Sequence, residues 1–78
     1  MKIKKQIEEL NALLSKKVSQ NEGFEVVYEM CEMGGIVTPL DGKMVFRLIK
    51  WMPIVKNTET YEEMVSFIEN DFNPKKYK

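Results

Sequence analysis

Cys31 is the only thiol in the chain, which makes it the first residue to test for chemistry. A catalytic thiol needs a neighbour that holds it as thiolate, most often histidine; the 78 residues include no histidine, and Glu29 and Glu32 beside Cys31 disfavour the anion. An inert, partly buried thiol is the expectation. The missing histidine also removes the commonest acid–base partner for a hydroxyl nucleophile, and no motif surrounds Ser15, Ser19, Thr38 or Ser66. Glu8-Glu9 and Glu62-Glu63 are adjacent pairs in segments with helical periodicity, so their carboxylates diverge instead of sharing a substrate. Gly34-Gly35 lacks the further glycines and the Lys-Ser/Thr ending of a phosphate loop. One cysteine allows no intrachain disulfide and, without histidine, no zinc site of the usual kind. These residues predict no catalysis, cofactor, metal or small-molecule substrate.

Binding has more material. On a helix, Glu25, Glu29 and Glu32 form an acidic row at spacings of four and three, and Lys43, Arg47 and Lys50 repeat that spacing with the opposite sign. Like charges so spaced repel, and either row gains from an oppositely charged surface, on a partner or within the monomer. Phe46 and Trp51 fall off the main apolar stripe of their segment, and exposed aromatics near an arginine have the composition of an interface hot spot. The basic row with Trp51 also admits a nucleic-acid alternative; Arg47 is the only arginine, which weakens base reading.

The elements that position these residues begin with a helix over 2–17, whose stripe is Ile3, Ile7, Leu10 and Leu14. The same four residues are candidates for self-association in a homodimer, since their spacing also fits a short heptad pattern. Over 20–33 two readings compete. A capping box of Ser19 and Glu22 opens a helix with Phe24, Val27, Tyr28 and Cys31 on one face, ended by Gly34-Gly35; alternatively Phe24, Val26, Tyr28 and Met30 alternate as in a strand. Over 39–52, Thr38 as N-cap and Pro39 at the first position favour a helix ended by Pro53, whereas Gly34-Gly35 and Asp41-Gly42 are both hairpin signals. Such a meander would put Pro39 in a central strand, where its missing amide is poorly tolerated. The preferred reading is therefore all-α, a bundle of four short helices near 2–17, 20–33, 39–52 and 60–71; the alternative is an α+β fold of order α-β-β-β-α. Thr60 and Glu63 cap the last helix, and 73–78 is expected to be a flexible tail.

The whole reads as one small domain with balanced charge, twelve basic residues against twelve acidic. Balance gives no general pull toward nucleic acid or an anionic membrane. The basic start Met1-Lys2-Ile3-Lys4-Lys5 is interrupted by Glu8 and Glu9 before any signal-peptide core, and no apolar run reaches a membrane span. The sequence predicts a cytoplasmic protein-binding module, a small regulator, adaptor or inhibitor of the kind carried by phages and mobile elements. The alternative is a small helical DNA-binding regulator.

Overall fold

The computed structural model describes residues 2–32, 39–51 and 53–77. Helix α1 (Lys2–Leu14) leads into strand β1 (Phe24–Met30), followed by β2 (Met44–Lys50), β3 (Ile54–Thr58) and helix α2 (Tyr61–Ser66), which continues as a π-helical turn, Phe67–Asp71. The three strands form one antiparallel sheet in the order β1-β2-β3. The fold is α+β, and this corrects the four-helix expectation: 20–33 and 39–52 supply strands where helices were preferred. The two middle helices on which the helical DNA-binding alternative placed its basic row are replaced by β1 and β2.

The physical reason lies in pairing. Seven residues of β1 and β2 align from Phe24 opposite Lys50 to Met30 opposite Met44, which sets Val26 against Leu48 and Tyr28 against Phe46. The last pair stacks at a tilt with ring centroids 4.8 Å apart. Apolar and aromatic cross-strand neighbours are what stabilise a sheet, and a local window cannot see them. The objection from Pro39 also dissolves, because residues 39–42 form a turn before β2. Pro53 stops no helix either: its carbonyl accepts from the Lys50 amide at 2.9 Å, closing the hairpin between β2 and β3. Gly34, Gly35, Thr38 and Met52, read above as turn, cap and helix residues, lie outside the described residues, as do Met1, Met33 and Lys78.

Both helices cover one face of the sheet. Leu10, Leu14 and Val18 from α1 and the turn after it meet Val26, Phe46 and Leu48 from the strands, and Met64, Ile68 and Phe72 from the last segment. The stripe predicted for the first helix thus turns inward at Leu10 and Leu14. The Ser19–Glu22 box exists, with the Ser19 amide donating to Glu22 Oε2 at 2.9 Å, but it opens only a single 3₁₀ turn, Gln20–Glu22. Gly23 stops that turn with φ 80°, and the Trp51 indole lies against it where any side chain would collide. The cap at Thr60 is as predicted, its Oγ1 accepting from the Glu63 amide at 3.2 Å. Near the end of the chain Pro74–Tyr77 form a 3₁₀ turn, whose tyrosine ring lies against Phe24 and Phe72.

Candidate functional site

An edge strand presents a row of backbone amides and carbonyls with no neighbouring strand to take them. In an antiparallel ladder alternate residues point their polar groups to one side, so two bonds at the ends of β1 establish which ones face outward. The Trp51 amide donates to the Gly23 carbonyl at 3.0 Å, and the Cys31 amide donates to the Lys43 carbonyl at 2.7 Å. Odd-numbered residues therefore face β2, and Phe24, Val26, Tyr28 and Met30 direct their backbone groups away from the sheet.

Val26 is satisfied in an unusual way. Its amide donates to Asn11 Oδ1 at 2.9 Å and its carbonyl accepts from Asn11 Nδ2 at 3.0 Å, so one side-chain amide of α1 stands in for the missing strand. Asn11 Nδ2 also donates to the Ile7 carbonyl at 3.1 Å, which orients the amide. Beyond this plug, α1 and β1 part. Between them lies a cleft of about 540 Å³, walled by Ile3 and Ile7 of α1 and by Val26 and Tyr28 of β1; Lys4, Glu8, Glu25 and Val27 complete its lining. Tyr28 borders this cleft, and Met30, half exposed, follows it on the open edge. No described residue caps their outward amides and carbonyls as Asn11 caps those of Val26.

The predicted binding residues separate into several environments. Glu25, Glu29 and Glu32 are all exposed, and strand alternation puts Glu25 and Glu29 together on the sheet face opposite the helices. Arg47 shares that face, buried, with its Nη1 donating to Glu29 Oε1 at 2.9 Å and its Nε to Asn57 Oδ1 at 2.9 Å; its Nη2 is buried with no partner among the described residues. The two charge rows therefore do meet within the monomer, at this one pair. Lys43 pairs with Glu59 at 3.2 Å. Lys50 turns to the other face, above the rings of Phe24 and Trp51, and donates to the Tyr77 carbonyl. Phe46 is in the core, whereas Trp51 is 64% exposed at the hairpin. Of the self-association candidates, Leu10 and Leu14 are core residues, while Ile3 and Ile7 remain half-buried and line the cleft.

Asn11, Tyr28 and Met30 escaped the sequence reading. Asn11 had a signal: it stands four residues after Ile7 and beside Leu10, a poor helix former against an apolar stripe, where a short amide is best explained by a buried hydrogen bond. The outward parity of Tyr28 and Met30 had none, since it depends on which side β2 pairs. Among the described residues no helix is long and apolar enough to cross a membrane, and no cluster of acidic residues and cysteine could hold a metal ion. Compared with protein-family models, with curated proteins and with solved structures, the chain matches none.

Proposed function

We propose that this chain is a protein-binding module without catalytic activity, which receives an extended segment of its partner along the outer edge of β1. The observation that carries this reading is the pair of outward-turned backbone positions, Tyr28 and Met30, beside an apolar cleft between strand and helix. Strand addition needs those two things: backbone groups to give affinity and side-chain pockets to give selectivity. A small regulator, adaptor or inhibitor works through such a contact. We assign it to a reducing compartment such as the cytoplasm, an assignment supported by the single, free and buried thiol of Cys31.

Met30→Pro tests the reading. Proline is tolerated on an edge strand when the lost amide points away from the ladder, and the Met30 side chain is 50% exposed, so the fold should survive. Wild-type protein should capture from its host a partner that Met30→Pro does not, and binding of that partner should slow amide exchange at Tyr28 and Met30. An identical captured set with both proteins rules the edge out.

A further inference from the structure

The chemistry around the β1 edge also selects what kind of segment fits it. Resting on the reading that this edge binds protein, we infer that the occupant is an extended segment of another protein in which apolar residues alternate with lysine or arginine. A strand added to β1 sends successive side chains to opposite faces. On the helix side they enter the cleft against Ile3, Ile7 and Tyr28, which rewards apolar groups. On the other side they lie beside Glu25 and Glu29, which are exposed on the neighbouring strand. Glu25 has no ion-pair or hydrogen-bond partner among the described residues, and Glu29 gives only Oε1 to Arg47. Across the cleft Glu8 likewise has no partner among the described residues, and with Arg47 engaged by Glu29 and Asn57 the uncompensated charges lining the cleft are Glu8 and Glu25 against Lys4. Opposite charges on neighbouring strands attract and like charges repel, which favours a basic row in the guest.

The same rule disfavours a second copy of this chain. If two β1 edges paired antiparallel through Tyr28 and Met30, Glu29 would face Glu29 of the other copy directly, and like charges directly opposite destabilise a sheet. Asn11 shortens the available edge further by occupying Val26.

The experiment is selection of short random peptides displayed on phage, panned on the wild type with counter-selection on Met30→Pro. Enriched peptides that alternate apolar residues with lysine or arginine support the inference. Affinity for a synthetic copy of one of them should fall about fivefold with Glu25→Lys, which alters an exposed, unpaired side chain, and should weaken with added salt. Peptides that need the free edge but are acidic, or lack alternation, overturn the inference and leave the edge-binding reading standing. Absence of any peptide sensitive to Met30→Pro overturns both. Sedimentation as a dimer that Met30→Pro returns to monomer assigns the edge to a second copy and also overturns the inference.

Discussion

Val26 and Met30 lie four residues apart on one strand, direct their backbone groups to the same side, and differ in what meets them. Val26 is fully buried, and Asn11 supplies both its hydrogen bonds. Met30 is half exposed, and no described residue takes its outward amide. The difference follows from desolvation. An unpaired polar group costs about 1–3 kcal/mol where water is excluded and little where water reaches it, so a plug is required at the first position and optional at the second. An edge left open beside an apolar cleft is then available to a guest, whereas one left open in the core is a defect.

The largest perturbation removes what holds the helix against the strand. Leu10→Ala should destabilise the domain by about 2–5 kcal/mol in a denaturant titration, because the fully buried leucine anchors α1 over Val26 and Leu48. That change collapses the distinction between the two positions, since cleft and plug both depend on α1. A smaller and more selective effect is expected of Asn11→Ala, about 1–3 kcal/mol, with amide exchange at Val26 accelerated more than at its neighbours. Met30→Pro, by contrast, should cost less than Asn11→Ala, because the amide it removes points away from the ladder and no described residue accepts from it. Equal costs for Asn11→Ala and Met30→Pro would mean that the two edge positions are energetically alike, against the comparison.

The smallest effect concerns a second tether on α1. The Tyr61 hydroxyl donates to Glu9 Oε2 at 2.9 Å, and that hydrogen bond to the carboxylate pushes the phenol above its ordinary value of 10.0, with the surrounding negative charge adding to it. A pKa raised in the folded state means that the contact contributes below the unfolded value and is lost as pH rises through the folded one. Stability should therefore lose this increment only above about pH 10. Glu9→Gln should bring the Tyr61 transition down toward the ordinary value in an ultraviolet absorbance titration; an unmoved transition would remove Glu9 as its cause.

Particular residues show how far the fold was legible in the linear chain. The stripe Ile3, Ile7, Leu10 and Leu14 gave the first helix, which ends at Leu14 rather than at 17. The Thr60–Glu63 cap gave the start of the last one, whose second half is a π-helical turn. Segment 24–30 was not decidable in the same way, because its apolar residues fit both periods: Phe24, Val27 and Tyr28 suit a helix, while Phe24, Val26 and Tyr28 suit a strand. A capping box and a proline favoured helices, and both motifs serve other turns here. Of the site, Phe46 and Trp51 were both read as lying off the apolar stripe, yet Phe46 is in the core and only Trp51 is exposed; that split and the burial of Arg47 follow from which face of β2 the helices cover.

The order of amino acids by itself determined what lies within one helical turn: the stripe of α1, the cap of α2, and the absence of histidine on which the non-catalytic reading rests. Tertiary structure alone decided that 24–30 and 44–50 are strands, and which backbone groups of β1 face outward. Pairing across the long connection between β1 and β2, and the bond from Asn11 to a residue 15 positions away, supply energies that no local window contains. Those longer-range terms chose between two nearly balanced local patterns, and in doing so set the outward-facing edge of β1.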